Sequence, residues 1–322
     1  MASMYSPAPI RPFRQTESTH ERPAQTLNTI SKEDQERLAP YLPPPRTEFL
    51  KEDRVVAAPI SHTKAKSNLP HVTLTYAQSL DSQISLRPGQ RTTLSGVETK
   101  AMTQFLRANH DGILIGSGTA NADNPGLNTS FSYDGKNIVG LAEQPRPLIL
   151  DPGRSWMEDR CEKMFAYARL GMGRAPWWIV CHDSPGREGI TSSEEQTGIE
   201  RDEQRTKMIE AAGGNVIRAG KYGNRNDGVE WEEILKTMWD TGIRSVMIEG
   251  GATVINDLLR ARNQHLVTSV IVTIAPTYLG SGGVVVAPPR SVQDENEARL
   301  SDVTWIPFGH DIVMAGRLSP KS

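Results

Sequence analysis

The sequence has few of the residues that mark several common protein classes. It contains only two cysteines, Cys161 and Cys181, too few for a disulfide framework and without the spacing of metal ligands. Its seven histidines are scattered, and none pairs with a cysteine or an acidic residue at metal-ligand spacing. We therefore expect a protein of a reducing compartment, with no metal site.

Long apolar runs and a strong net charge are also missing. No run approaches the ~18 apolar residues of a membrane span, and the N-terminus lacks the apolar core of a signal peptide. The formal net charge is −2, so no global basic field attracts nucleic acid or an anionic membrane. We expect a cytoplasmic protein. Import into an organelle stays open because Arg11 and Arg14 precede the first acidic residue, although nearby prolines disfavour an amphipathic transit helix.

Two stretches are expected to lie outside the folded core. Residues 1–68 are rich in Pro, Ser, Thr and charge, which predicts a flexible extension. Within it, Lys32–Leu38 has the pattern of one short helix, with Ser31 as its N-cap. Residues 182–206 are polar and show no apolar periodicity, which predicts a solvated insertion in a domain that spans 69–322.

The remainder alternates strand patterns with helix patterns. HVTLTYAQ at 71–78 and GILIG at 112–116 are typical of strands, and the stretch Glu230–Trp239 has the apolar spacing of an amphipathic helix. This order favours a mostly parallel sheet with helices on both faces. The two closing strands, 267–274 and 311–317, have no helix between them, so we expect an antiparallel edge.

One stretch, RSVMIEGGATVINDLLR at 244–260, predicts a strand, a glycine turn and a helix. The turn leaves backbone N–H groups at the helix N-terminus without intrahelical partners, and a phosphate is their natural ligand. Gly250 and Gly251 can also be explained as turn residues alone. Glu249 is a stronger functional candidate, because a carboxylate at the end of a buried strand costs free energy to bury.

Ligands of open α/β sheets bind beyond the carboxyl ends of the strands, where three loops meet here. These loops offer the carboxylates of Asp81, Asp123 and Glu249, together with hydroxyl groups. Asp123 precedes Asn-Pro-Gly and is open to interpretation as a turn residue. Gly116 and Gly118 do not complete a Rossmann fingerprint, because Asn121 stands where its third glycine is expected. We predict a nucleotide cleft that uses neither that fingerprint nor a Walker A lysine.

Five motifs, in this order, resemble the riboflavin-pathway reductases, in particular the fungal 2,5-diamino-6-ribosylamino-4(3H)-pyrimidinone 5′-phosphate reductases. They are LTYAQSLDSQIS, RTTLSGVETKAMTQFLRANHDGILIGSGTANADNPGLN, RPLILD, RSVMIEGGATVINDLL and IVTIAPTYLGSGG. The resemblance covers about residues 70–318. It implies a dihydrofolate-reductase-like α/β fold, a homodimer, NADPH as cofactor and reduction of a ribosylamino group to a ribitylamino group.

The resemblance also implies roles for individual residues. Glu249 is the first candidate for the catalytic group and Asp81 the second. The implied cofactor contacts are Thr119, Asp123, Val229, Gly250, Gly251, Ala252, Thr253, Val254 and Ile255. The implied substrate contacts are Ser79, Leu127 and Glu249. Arg91 and Arg107 are candidates for binding the substrate phosphate, although the resemblance itself does not imply them.

One departure and two alternatives accompany this resemblance. Bacterial relatives place an arginine for the substrate phosphate where this chain has Ser130. Arg91 and Arg107 can also be explained as a solvated loop residue and as a helix-end residue that interacts with the helix dipole. The alternative functions are reduction of another pyrimidine or pteridine, and a catalytically silent nucleotide-binding protein on the same scaffold.

Overall fold

The computed structural model describes residues 26–45, 68–156, 161–182, 192–222, 228–288 and 298–318. The strands are β1 His71–Gln78, β2 Gln83–Ser85, β3 Gly112–Gly116, β4 Arg146–Leu150, β5 Trp177–Val180, β6 Asn215–Arg218, β7 Ser245–Gly250, β8 Ser269–Ile274, β9 Val284–Val285, β10 Leu300–Phe308 and β11 Asp311–Leu318. The α-helices are α1 Lys32–Leu38, α2 Val97–Ala108, α3 Ser117–Asp123, α4 Glu162–Arg169, α5 Ser192–Ala211, α6 Trp231–Asp240 and α7 Ala252–Leu258.

The main sheet has nine strands in the order β10-β11-β8-β1-β7-β3-β4-β5-β6 in the described part of the chain. The seven strands from β8 to β6 are parallel to one another. At the other end, β11 pairs antiparallel with β8, and β10 pairs antiparallel with β11. The expected α/β architecture, a mostly parallel sheet with an antiparallel edge, is confirmed.

Helices cover both faces of the sheet because alternate strand residues point to opposite sides. In β7, Val246 and Ile248 pack with α6 and α7 in one core cluster, whereas Met247 packs with α1 and α2 in another. A third cluster packs α3, α4 and α5 over β3, β4 and β5. Glu249 follows Met247 by two residues, so its side chain belongs to the face that α2 covers.

The expected flexible extension is corrected for residues 26–45. The helix Lys32–Leu38 is present as predicted, and the Ser31 hydroxyl accepts a hydrogen bond from the Asp34 N–H at 3.0 Å. Leu38 and Tyr41 are buried in the same cluster as α2. Their apolar side chains account for the docking, because their burial stabilises the segment against the domain. Residues 1–25 and 46–67 lie outside the described residues.

The structure adds three elements to the sequence-based expectations. The loop predicted after β3 contains the short helix α3, and the polar insertion predicted at 182–206 contains most of α5. The segment between β8 and β11 contains the edge strand β10, which sequence periodicity missed because a register irregularity between Ser301 and Thr304 interrupts its alternation. Within the described ranges, no helix has the length and apolar character needed to cross a bilayer.

Candidate active site

The predicted site loops lie at one edge of the sheet. Strands β1, β7 and β3 are adjacent and parallel, so their carboxyl ends, Gln78, Gly250 and Gly116, lie side by side. The chain continues from these ends into the turn at 79–82, into α7 and into α3. The topology therefore gathers the three loops that the sequence singled out.

An ion pair between Arg107 and Glu249 occupies the α2 side of this edge. Arg107 Nε and Nη2 donate to the two carboxylate oxygens of Glu249 at 2.6 and 2.7 Å. Arg107 Nη1 donates to the Asn128 carbonyl oxygen at 3.1 Å. The two charged side chains are only 16% and 18% exposed. This two-point geometry fixes the orientation of the Glu249 carboxylate.

The pair also keeps the arginine charged. Burial lowers the pKa of Arg107, but the negative charge of Glu249 and its hydrogen bonds raise the pKa, and the net result lies above the ordinary value. Three of the five guanidinium N–H donors are engaged by Glu249 and Asn128. The prediction that Arg107 holds the substrate phosphate stays a prediction, and its observed partner is Glu249.

A bulge in β7 presents Glu249 at the strand end. Ile248 pairs with Leu114 of β3, and the next pair joins Gly250 to Ile115, so Glu249 has no partner residue on β3. Such bulges redirect side chains next to functional sites. Gly250 then takes a φ of +99°, and a Cβ there would lie 2.6 Å from Ile255 Cδ1. Only glycine fits this turn.

The Gly251 backbone and the Thr119 side chain meet beside the ion pair. The Gly251 N–H donates to Thr119 Oγ1 at 3.1 Å, and a Cβ on Gly251 would lie 2.8 Å from that oxygen. Gly251 is also the N-cap of α7 and provides no side-chain cap. At the start of α7, the backbone of Gly251 therefore lies directly against the Thr119 side chain, a contact that only glycine allows. We call Gly251 and Thr119 the glycine cradle.

Asp81 anchors two loops to each other. Its carboxylate accepts hydrogen bonds from the Ser79 hydroxyl, from Gln83 Nε2 at 2.9 Å, and from the N–H groups of Leu279 and Gly280 at 3.1 and 2.8 Å. The Ser79 hydroxyl is the largest cause of the lowered Asp81 pKa, which is about 2. Burial opposes this shift, and the N–H groups of Leu279 and Gly280 lower the pKa further. The catalytic role predicted for Asp81 stays a prediction, whereas its hydrogen bonds give it an anchoring role.

We expect Asp81→Asn to lower the stability of the protein in a pH-dependent way. The folded pKa of Asp81 is depressed, so its stabilisation is present above the ordinary value near ~4 and is lost as pH falls toward 2. Thermal unfolding of both proteins at pH 7, 5 and 3 measures this. The difference in Tm should be constant at pH 7 and 5 and smaller at pH 3. A difference that does not change with pH would contradict the role of the Asp81 charge.

The charge of Arg91 acts on Asp123, the last residue of α3. Burial raises the pKa of Asp123, and the charge of Arg91 opposes that rise. Arg91 is exposed and Asp123 is half-buried. Arg91 therefore lies near a residue predicted to contact the cofactor, and its assignment to the substrate phosphate stays a prediction.

Four of the predicted contacts have side chains in the hydrophobic core. They are Leu127, Val229, Val254 and Ile255, with exposed fractions of 1%, 7%, 8% and 0%. At these positions the side chains pack in the core and offer little surface to a ligand. Ala252 and Thr253, in the first turn of α7, are half-buried and exposed.

Asn128 and the backbone of Leu279 and Gly280 contribute to the site without any local signal in the sequence. Asn128 follows Leu127, whose φ of +46° turns the loop so that the Asn128 carbonyl reaches Arg107. Arg107 in turn binds Glu249, which lies 142 residues away in the chain, and no local pattern reveals such a contact. Among the described residues, no group of three or more His, Cys, Asp or Glu side chains is arranged to hold a metal ion.

Comparisons with known proteins agree on one family. The sequence model of the RibD C-terminal domain matches residues 70–314. Two relatives named 2,5-diamino-6-ribosylamino-4(3H)-pyrimidinone 5′-phosphate reductase, from Candida glabrata and Debaryomyces hansenii, are 40% and 37% identical. Each alignment covers 79% of this chain and 91% of the relative.

Solved structures agree with this result. The riboflavin biosynthesis reductase of Saccharomyces cerevisiae is 34% identical with a TM-score of 0.56, over 80% of this chain and 93% of that one. RibD of Acinetobacter baumannii is 20% identical with a TM-score of 0.56, over 79% of this chain and 59% of that one, and it shares the fold.

Proposed function

The chain belongs to the RibD C-terminal domain family, and on that premise we propose that it uses NADPH to reduce 2,5-diamino-6-ribosylamino-4(3H)-pyrimidinone 5′-phosphate to the ribitylamino product in riboflavin biosynthesis. The observation that carries the proposal is the Arg107–Glu249 pair beside the glycine cradle. The ion pair supplies an oriented carboxylate for a substrate. The glycine cradle lies where a phosphate-bearing cofactor would bind.

The residues at the cradle fit NADPH. A Cβ at Gly251 would lie 2.8 Å from Thr119 Oγ1, so glycine lets Thr119 and the start of α7 come together, and a helix start is where backbone N–H groups can bind a phosphate. The backbone of Gly250–Ile255 would hold the phosphates, with Thr119 and Asp123 beside them and Val229 at a wall of the site. NADPH supplies the hydride when it is bound.

Glu249 acts on the substrate side. The ring-opened form of a ribosylamine carries an imine at C1′, and an imine accepts hydride better when it is protonated. A carboxylate stabilises the positive charge of the protonated imine. Arg107 keeps the Glu249 carboxylate oriented toward one direction. Reduction of the imine carbon then gives the ribitylamino group without covalent participation of the protein.

Other residues border the substrate. Ser79 and Leu127 would lie against the pyrimidine, the latter through its backbone. Arg91 and the unused N–H groups of Arg107 are the proposed donors to the 5′-phosphate. Ser130 is not a proposed donor to the phosphate, since its hydroxyl accepts a hydrogen bond from Asn28 Nδ2 at 2.8 Å.

A homodimer and a cytoplasmic location are also proposed. Val303, Trp305 and Ile312 are 40%, 49% and 38% exposed. They lie on the β10–β11 face that continues into the first core cluster through Met314. An exposed apolar face of this kind suits a second copy of the chain.

We therefore expect Trp305→Glu to convert the dimer into a monomer, because two desolvated carboxylates would oppose the contact. Sedimentation velocity measures this, with the exposed Glu36→Ala on α1 as control. An unaltered chain that sediments as a monomer would overturn the dimer.

The test of the function is oxidation of NADPH followed at the nicotinamide absorbance band, with and without the diaminopyrimidine substrate. Substrate-dependent oxidation supports the proposal. Oxidation only with another pyrimidine or a pteridine would favour a different substrate on the same fold. NADPH binding without oxidation by any of these substrates would favour a silent nucleotide-binding protein.

A further inference from the structure

The N-terminal segment, residues 26–45, folds onto the domain although the family match begins only at residue 70. Leu38 is fully buried, and Tyr41 is 4% exposed, in the cluster that also contains Phe105 of α2. The Ser269 hydroxyl donates to the Tyr41 carbonyl at 2.6 Å. The segment is thus fixed relative to α2, the helix that carries Arg107.

The first residues of this segment pair with the chain that follows the predicted substrate loop. The Asn28 N–H donates to the Ser130 carbonyl at 3.1 Å, and the Ser132 N–H donates to the Asn28 carbonyl at 2.9 Å. The Asn28 side chain adds a third bond, from Nδ2 to Ser130 Oγ at 2.8 Å. Ser130 is therefore held on one side by Asn28, a residue that precedes the family match in the chain.

On its other side, the same short stretch is held by α2. Gln104 Oε1 accepts from the Ser130 N–H at 2.9 Å, and the Gln104 carbonyl accepts from the Thr129 hydroxyl at 2.7 Å. Three residues further along α2, Arg107 donates to the Asn128 carbonyl. Residues three apart lie on the same face of a helix, so residues 128–130 lie along the last turns of α2.

We propose that Asn28 is a positioning residue for the reductase site, a role that rests on the proposed function. Its side chain fixes Ser130, and the connected backbone fixes the Asn128 carbonyl that Arg107 binds. Arg107 in turn orients Glu249. The glycine cradle lies beyond Glu249, at the start of α7 and in α3, whereas the hydrogen bonds of Asn28 within the described residues go to Thr26, Ser130 and Ser132. Asn28 therefore acts on the substrate side and leaves the cofactor side unchanged.

The test is Asn28→Ala in the full chain. Its two backbone hydrogen bonds remain, and only the side-chain bonds are lost. We expect kcat/KM for the pyrimidine to fall about fivefold, the effect of one lost hydrogen bond, with the Kd of NADPH unchanged. Asn28→Asp should recover most of the loss, because its carboxylate accepts a hydrogen bond from the Ser130 hydroxyl. Arg37→Ala is the matched control, since it removes the bond from the same segment to the Trp305 carbonyl, and it should retain kcat/KM.

Ser130→Ala provides a second route to the same conclusion. It should reproduce most of the loss of Asn28→Ala, and the loss in the double variant should be clearly smaller than the product of the two single losses, because both substitutions remove the bond between Asn28 and Ser130. If the unaltered chain is active and Asn28→Ala has the same kcat/KM, this proposal is overturned while the proposed function stands. An equal loss in Arg37→Ala overturns it as well. An unaltered chain without substrate-dependent NADPH oxidation overturns the proposed function and, with it, this proposal.

Discussion

Replacing Glu249 with glutamine is expected to lower kcat by about 100- to 1,000-fold while the Kd of NADPH stays nearly unchanged. The amide retains the shape of the carboxylate but not the charge that stabilises a protonated imine. The phosphates of NADPH are assigned to the backbone that follows Glu249, which the substitution leaves in place. Pre-steady-state reduction rates and NADPH fluorescence titration measure the two quantities separately.

Glu249→Gln also affects folding stability, because it leaves the half-buried Arg107 without its counter-charge. We expect a destabilisation of about 1–3 kcal/mol from that loss. The double variant Glu249→Gln with Arg107→Met removes both charges and should recover much of the Tm. It should not recover kcat. Recovery of kcat in the double variant would mean that Glu249 serves folding only, and a loss of NADPH affinity with normal turnover would contradict its assignment to the substrate.

Replacing Gly251 with valine is expected to raise the Kd of NADPH by at least about tenfold, which corresponds to ~1.4 kcal/mol. The first added carbon already lies 2.8 Å from Thr119 Oγ1, and the valine methyl groups would occupy the approach to the backbone of α7. Fluorescence titration with NADPH measures the change. The variant at saturating NADPH should regain most of its turnover, because Glu249 precedes the altered turn.

Gly118→Ala is the matched control for Gly251→Val. Gly118 lies in α3 beside Thr119, and a Cβ there has no atom within 4 Å. Alanine also favours a helix more than glycine does. We expect the control to bind NADPH as the unaltered chain does. Normal NADPH affinity in Gly251→Val would contradict the assignment of the cofactor to the cradle.

Elements with strong local signals were predictable from the sequence. Strands β1 and β3 begin and end where the alternation and the glycines indicated, and α1 has the predicted N-cap. The strand–glycine–helix pattern at 244–260 gave β7 and α7 in their observed order. In each case, helix or strand propensity, apolar periodicity and turn residues favour the same structure, and the tertiary contacts of the folded protein are compatible with it.

Features that depend on distant contacts were not predictable. The Ser95–Glu98 pattern predicts a capping box, yet α2 begins after Gly96, whose N–H donates to Asp311 at 2.8 Å. The partner of Glu249 lies 142 residues away, and a carboxylate at a strand end gives no sign of which cation it meets. Docking of the N-terminal segment likewise needs the exposed apolar surface of the folded sheet, which exists only after folding.

The most direct test of the account is substrate-dependent oxidation of NADPH by the full chain, together with the mass of the product. The account predicts one NADPH consumed per pyrimidine and a product heavier than the substrate by two hydrogen atoms, with the 5′-phosphate intact. It also predicts that Glu249→Gln nearly abolishes this turnover at saturating NADPH. NADPH that is bound but not oxidised when the ribosylaminopyrimidinone phosphate is added would contradict the account.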